Sequence, residues 1–217
     1  YAVIVALGWA LWTIYPFFSL IILLSISIFH FGSSDLQFLE EINKLQKLSW
    51  GFLMTFMPIA FHDERVNNIF FQITNDSFNI IALSLIKYSL FLAVFIYLYS
   101  IGKAVFLNKD KLSYILSIIE LITLLLLAYF LDPIVWFALY FCALHGIRSI
   151  IYQNFKWYPD FLWIILFTSP VIIFVIIMEN YYLGDVMNNN FFIVFPILAC
   201  LTNAHMMLPK IIKKLKY

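Results

Sequence analysis

Long uninterrupted blocks of apolar residues constrain this chain more than any other feature of its sequence. The stretches 80–102, 112–131, 134–152, 161–178 and 191–208 each approach or exceed the ~18–20 residues that a helix needs to cross a bilayer. Charged residues make up 12% of the chain, about half the share found in soluble domains. The sequence therefore predicts an all-α, polytopic integral membrane protein.

The first 31 residues predict two further helices. Residues 1–31 are almost entirely apolar but contain Pro16, and at ~1.5 Å per residue they are too long for one span. We expect one helix over 1–15 and a second over 16–31. Because the first apolar run is already under way at Tyr1, we also expect a helix upstream of it.

The segment between residues 34 and 77 predicts a change of environment. Residues 34–48, "SDLQFLEEINKLQKL", place leucine and isoleucine on one stripe and charges elsewhere, which is typical of an amphipathic helix on the membrane surface. A short apolar helix over 49–62 and a polar loop over 63–77 follow. The expected architecture is a single transmembrane domain, 1–217, of about eight membrane helices plus one interfacial helix.

The placement of Lys and Arg tests this helix count and orients the chain. If the tail "KIIKKLKY" is cytoplasmic, all but Arg65 and Lys87 of the 13 basic residues fall on the cytoplasmic side, so one topology satisfies the positive-inside rule. We expect a protein of the bacterial cytoplasmic membrane with its C-terminus in the cytoplasm. The net charge of +1 favours no nucleic-acid partner.

All four histidines lie in or at the ends of apolar segments. Ionisable groups inside a membrane are costly and indicate a functional site. The topology puts His30, His145 and His205 at similar depths near the cytoplasmic face, and it puts His62 at the opposite face. We therefore predict that the first three converge and that His62 is a solvated residue at the entry to a loop.

Several polar residues lie in the same layer as these three histidines. Glu120 lies ~12 Å from the cytoplasmic surface, where a carboxylate needs a proton, a partner or a metal. Asp35 and Asn203 flank the layer, and Ser149 follows His145 by one helical turn. Neutral imidazoles suit Fe(II), Cu and Zn, and a carboxylate behind them fixes their tautomers. Haem held between two histidines is a competing interpretation.

Four short motifs, in order along nearly the whole chain, resemble those of the Brp/Blh-type β-carotene 15,15'-dioxygenases. They are "SISIFHFGSSD", "MPIAFHDERV", "IIELITLLLLAYFLDPIVWFALYFCALHGIRS" and "LTNAHMMLPK". The resemblance implies a non-haem Fe(II) enzyme that cleaves β-carotene at its central double bond with O2 and releases two retinals. It also implies that His30 and His145 are iron ligands and that Glu120 supports them.

The sequence departs from the family pattern at three places. The family's first histidine, in a PHGxxD motif, would precede Tyr1. The second histidine of the family's HxxRH element is Ser149 here, and the proline before the last-helix histidine is Ala204. Two of the four expected ligands are therefore visible in this sequence.

Three functions remain as hypotheses, and we favour the first. It is a carotenoid-cleaving dioxygenase in which β-carotene arrives from the lipid. Fe(II) would be held by His30, His145 and an upstream histidine. Water, His205 or Glu120 would take the ligand position that Ser149 leaves open, and the possible further ligands or supporting residues are His205, Glu120, Asp35, Ser149, Arg148 and Asn203. The second hypothesis, which Ser149 favours, is a silent family member that acts as a membrane subunit or a carotenoid-binding partner of other membrane proteins. The third is a haem or quinone redox subunit.

Overall fold

The computed structural model describes residues 2–39, 42–107, 111–152, 158, 162 and 195–207, and every regular element in these ranges is helical. The elements are α1 (Ala2–Ile14), α2 (Pro16–Ser34), α3 (Lys44–Phe56), α4 (Ile59–Thr74), α5 (Ile80–Leu107), α6 (Lys111–Phe130), α7 (Pro133–Ala138), a π-helical segment (Leu139–Gly146), α8 (Ile147–Tyr152) and a helix at Phe195–Met207. The all-α prediction is confirmed for these residues. The predicted span 161–178 and the basic tail 210–217 lie outside them.

Three of the described helices are long and apolar enough to cross a membrane: α2, residues Ile80–Phe106 of α5, and α6. Two more, α1 and the helix at Phe195–Met207, are apolar but shorter. Large apolar side chains of α5 such as Phe91 and Phe95 are exposed, as expected of a surface that faces lipid. These helices indicate membrane association, whereas the predicted count of about eight spans and the cytoplasmic C-terminus stay predictions.

The chain forms two compact units, Tyr1–Ser19 with Ile150–Tyr217, and Leu20–Ser149. In the first unit, Trp12 is buried and packs its ring edge-on against Phe195 at 6.1 Å. The second unit has a core of large, fully buried side chains, which include Trp50, Trp136, Tyr97, Tyr114 and Tyr140. The prediction of a single transmembrane domain over 1–217 stays a prediction.

Residues 34–48 do not form the interfacial helix that their leucine stripe predicted, and that prediction was wrong. Helix α2 ends at Ser34, a turn follows, and α3 begins at Lys44. The Asn43 side chain accepts a hydrogen bond from the Gln46 backbone N–H at 2.7 Å, and the Gln46 side chain accepts one from the Asn43 N–H at 2.9 Å. This capping box starts a new helix, because it satisfies backbone donors that a continuous helix would bond internally.

The leucine stripe is consequently divided between two elements. Leu36 and Leu39 are buried in the turn after α2, whereas Leu45 and Leu48 on α3 are about half exposed. A periodicity of 3.6 residues predicts one apolar face only if a single helix carries all of its members.

The predicted polar loop over 63–77 is also wrong, because α4 continues to Thr74. His62, expected at the loop entry, has non-helical backbone angles (φ −135°, ψ 44°) and marks a kink within α4. The helix ends at Asn75, whose φ of 56° is the left-handed conformation common at helix C-termini. The polar residues of this segment lie on a helix, where Asp63 and Arg65 form ion pairs with Lys87 and Asp132. The polar composition alone therefore gave a wrong prediction of a loop.

Two glycines allow α2 and α3 to touch backbone to backbone. A Cβ atom on Gly32 would lie 1.9 Å from the Lys47 carbonyl oxygen, and one on Gly51 would lie 1.7 Å from the Ile28 carbonyl oxygen. Small residues permit such close crossings between membrane helices. The contact fixes the end of α2, which carries His30, against α3.

Substituting alanine at Gly32 tests this crossing. The Gly32→Ala variant must separate the two backbones, so we expect ~3 kcal/mol of destabilisation. Gly102→Ala on α5 is the matched control, since a Cβ atom there meets nothing within 4 Å and alanine favours helix by ~1 kcal/mol. Thermal unfolding in detergent should show a lower melting temperature for the first variant only, and equal shifts would contradict the assignment.

An ion pair joins α4 to α5 and gives the stability a pH dependence. The Lys87 ammonium donates to Asp63 Oδ2, and this hydrogen bond holds the pKa of the Asp63 carboxyl below its usual 3.8. The pair therefore stabilises the fold fully above the unfolded-state pKa, and this stabilisation is lost as the pH falls through the lower folded-state pKa.

The Lys87→Met variant tests this ion pair. Both side chains are about one-third exposed, so we expect a loss of only ~0.5–1 kcal/mol at pH 7. The difference from the unmutated protein should disappear in acid, below the folded-state pKa of Asp63. Unfolding measured at both pH values checks this, and a pH-independent difference would show that Lys87 acts through packing instead.

Candidate functional site

Two of the predicted histidines lie together within the unit Leu20–Ser149. His30 is near the end of α2, and His145 is near the end of the π-helical segment. Their Nε2 atoms are 3.3 Å apart, with the ring planes inclined at 65°. His145 is buried and His30 is partly buried. Two imidazoles 115 positions apart in sequence therefore present the same ring nitrogen to one point.

Asp35 holds the second ring nitrogen of His145. Its carboxylate is fully buried, and Oδ1 lies 2.6 Å from His145 Nδ1. The other oxygen, Oδ2, accepts hydrogen bonds from the Tyr140 hydroxyl and, at 3.2 Å, from the Trp50 indole N–H. When an ionised carboxylate faces Nδ1, that nitrogen carries the proton and Nε2 keeps a lone pair directed toward His30.

Arg148 ties this group to a second carboxylate. One guanidinium nitrogen donates to the Asp35 backbone oxygen and another to Glu120 Oε2, both at 2.9 Å. The guanidinium also lies 5.0 Å from the centre of the Phe38 ring, a cation–π distance. The second oxygen of Glu120, Oε1, is buried and has no hydrogen-bond partner among the described residues. Glu120 is thus paired on one side and retains one free acceptor.

Aromatic rings surround the buried imidazole. Phe31 meets His145 edge-on at 5.0 Å, and Phe141 stacks on it at 5.7 Å. Phe31 also packs edge-on against Tyr140 at 5.1 Å. These rings restrict the orientation of His145 and keep water away from its bond to Asp35, which strengthens that bond.

The other predicted site residues take part in none of the hydrogen bonds described above. Ser149 is on α8, partly buried, and has no bond to the Asp35 group within the described ranges. Asn203 and His205 belong to the other compact unit. There His205 is exposed, whereas Asn203 is partly buried and its Oδ1 has no partner in the described part of the chain. His62 lies at the kink of α4, away from any loop.

Tyr140 and Trp50 are site residues that the sequence did not predict. Tyr140 precedes His145 by five positions, which an α-helix places on different faces. In a π-helix the backbone bonds connect residues five apart, so both side chains reach Asp35. A buried indole N–H needs an acceptor, but no periodicity in the sequence links Trp50 to Asp35.

The histidine pair fits one edge of a metal centre. Two nitrogens bound at ~2.1 Å to one ion in tetrahedral or octahedral geometry are ~3.0–3.4 Å apart, which the observed 3.3 Å matches. A carboxylate behind a ligating imidazole is the usual supporting arrangement. In the ranges that the structure describes, no group of three or more His, Cys, Asp or Glu side chains could hold a metal ion. Within these ranges, the pair offers two possible ligands for a metal ion.

Comparisons with known proteins agree on one family. A family model described as "Beta-carotene 15,15'-dioxygenase" matches residues 1–213. A curated protein of that name from uncultured marine bacterium 66A03 is 32% identical over 155 residues, which are 68% of this chain and 50% of the relative. The chain thus spans about half the length of that relative. No solved structure matches this chain.

Arg148 is expected to be far more important for stability than an arginine in an exposed ion pair. The Arg148–Glu120 pair is 19% and 15% exposed, so Arg148→Gln leaves a buried carboxylate unpaired and should cost ~3–5 kcal/mol. Arg65→Gln is the matched control: its pair with Asp132 is 56% and 39% exposed and should be worth ~0–1 kcal/mol.

A double variant separates the loss of charge from the loss of packing. Because Glu120→Gln removes the unpaired charge, it should restore part of the stability that Arg148→Gln loses. Denaturant unfolding in detergent measures Arg148→Gln, Glu120→Gln, the double variant and Arg65→Gln. If Arg148→Gln and Arg65→Gln lose equal stability, the buried network is not a structural support.

Proposed function

This chain belongs to the beta-carotene 15,15'-dioxygenase family, and from that premise we propose that it cleaves β-carotene at the central double bond with O2. The reaction breaks one carbon–carbon double bond and places one oxygen atom on each fragment, giving two retinals. Both atoms of O2 enter the products, so no external reductant is required. The observation that carries the proposal is the convergence of His30 and His145 in a chain of this family.

We propose Fe(II) as the cofactor, held by Nε2 of His30 and of His145. Ferrous iron with open coordination positions binds O2, and this is the chemistry that it would supply here. The chain itself supports the ligands: Asp35 Oδ1 lies 2.6 Å from His145 Nδ1, and Arg148 donates to the backbone oxygen of Asp35. An ion at this site needs further ligands beyond the two imidazoles.

The surroundings of the histidines suit an apolar substrate. Phe31 and Phe141 face His145, and aromatic faces can stabilise cationic character on a polyene. The apolar exterior of α2, α5 and α6 suits delivery of a carotenoid from lipid, in which it dissolves. The proposed substrates are therefore β-carotene or a closely related carotenoid, and O2.

Ser149 favours a second candidate function. The hydroxyl lies one turn after His145, where the family resemblance implies another imidazole, and serine is a poor ligand for iron. A silent family member could bind a carotenoid or serve as a membrane subunit beside other proteins. The haem hypothesis fits the geometry less well, because two histidines on opposite sides of a haem iron are ~4 Å apart and these nitrogens are 3.3 Å apart.

Retinal formation by the full-length gene product in β-carotene-producing bacteria tests the proposal. We expect loss of carotenoid colour and chromatographically identified retinal. His145→Ala should abolish retinal formation, and His62→Ala, the matched histidine control at the kink of α4, should leave it intact.

The Ser149→His variant distinguishes the two candidate functions in the same assay. Retinal from the unmutated protein supports the enzyme. Retinal from Ser149→His alone identifies a silent relative on an intact scaffold. If neither protein gives retinal although both accumulate in the membrane, the proposed cleavage is refuted.

A further inference from the structure

We propose that Asp35 is a positioning residue that selects the tautomer of His145, and that Trp50 determines which oxygen of Asp35 is free to do so. The inference rests on the proposed function only where it concerns metal binding. Its core is a set of hydrogen bonds among buried side chains, so it can be tested without any metal.

The indole of Trp50 is the group in this set of hydrogen bonds whose role cannot change. Its N–H can donate but never accept, it is fully buried, and it lies 3.2 Å from Asp35 Oδ2. Tyr140 donates to the same oxygen, although a hydroxyl can also accept. Trp50 therefore requires an acceptor at the Oδ2 position, while Tyr140 tolerates either kind of partner.

An ionised carboxylate meets these demands because both of its oxygens accept. Oδ2 serves Trp50 and Tyr140, and Oδ1 remains for His145 Nδ1 at 2.6 Å. The proton of the neutral imidazole is then held on Nδ1. Nε2, which faces His30, keeps the lone pair that a metal ion needs.

An amide at position 35 moves the proton of His145 from Nδ1 to Nε2. In Asp35→Asn one of the two positions becomes an NH2 group, which cannot face the Trp50 donor. The amide oxygen must therefore turn to Trp50, and the NH2 group must donate to His145 Nδ1. His145 then carries its proton on Nε2, where it blocks a metal ion.

Two double variants separate Trp50 from Tyr140. Adding Trp50→Phe to Asp35→Asn removes the obligatory donor, so the amide is no longer held in one orientation and can also donate to the Tyr140 hydroxyl oxygen. In that second orientation the amide oxygen faces His145, so the Nδ1–H tautomer should reappear beside the Nε2–H tautomer. Adding Tyr140→Phe instead leaves the Trp50 N–H in place, and the Nε2–H tautomer should remain.

The experiment is ¹⁵N NMR of the imidazole nitrogens in the metal-free, full-length protein, with His145→Ala to assign the signals. We expect Nδ1–H in the unmutated protein, Nε2–H in Asp35→Asn, partial recovery with Trp50→Phe and none with Tyr140→Phe. Cobalt(II) binding to the same proteins, as a stand-in for ferrous iron, should weaken ~10–100-fold in Asp35→Asn. Adding Trp50→Phe should restore part of that affinity, whereas adding Tyr140→Phe should restore none.

Each outcome decides one part of the inference. An Nδ1–H tautomer in Asp35→Asn, or identical behaviour of the two double variants, overturns it. An Nε2–H tautomer in the unmutated protein overturns it without any variant, which keeps it testable if Asp35→Asn does not fold. If the tautomers behave as expected but cobalt(II) does not bind the unmutated protein, the tautomer selection stands and the proposed metal role fails.

Discussion

The site depends on one requirement: a carboxylate buried among apolar helices must be surrounded by donors, because an unpaired charge there costs several kcal/mol. Asp35 meets this requirement with donors from Trp50 on α3 and from Tyr140 on the π-helical segment, and His145 Nδ1 of the same segment lies within hydrogen-bond distance. Arg148 on α8 adds a bond to its backbone oxygen. Asp35, the residue after α2, therefore contacts three other elements, and the histidine pair is one consequence of that arrangement.

Local backbone irregularities make this arrangement possible. The π-helical segment puts Tyr140 and His145 on the same carboxylate, and the glycines at the crossing of α2 and α3 bring the indole of Trp50 within reach of Asp35. Regular α-helices at ordinary separation would satisfy neither geometry. The irregular segments therefore place the donors, and the regular helices hold these segments in position.

The sequence predicted α5 and α6, because burial in lipid requires apolar helices of a minimum length, whereas the predicted span 134–152 is divided among α7, the π-helical segment and α8. The cost of ionisable groups in such blocks singled out His30, His145 and Glu120, and Asp35 and Arg148 were named as supporting residues. The structure joins these five in one network. It failed over 34–48 and 63–77, where composition alone could not reveal a capping box or interhelical ion pairs. Trp50 and Tyr140 were not predicted as site residues. The position of Trp50 depends on the glycine crossing of α2 and α3, and that of Tyr140 depends on the π-helical segment. Neither feature produces a periodic pattern in the sequence.

The network also explains why a substitution at position 149 should leave the hydrogen bonds around Asp35 intact. The bonds that orient His145 come from Asp35, and those that support Asp35 come from Trp50, Tyr140 and Arg148. Ser149 takes part in none of these bonds. If the site holds a metal ion as we propose, exchanging the side chain at 149 would change the number of possible ligands and leave the bonds to His145 in place. Under that proposal, the orientation of His145 and the number of ligands depend on different residues.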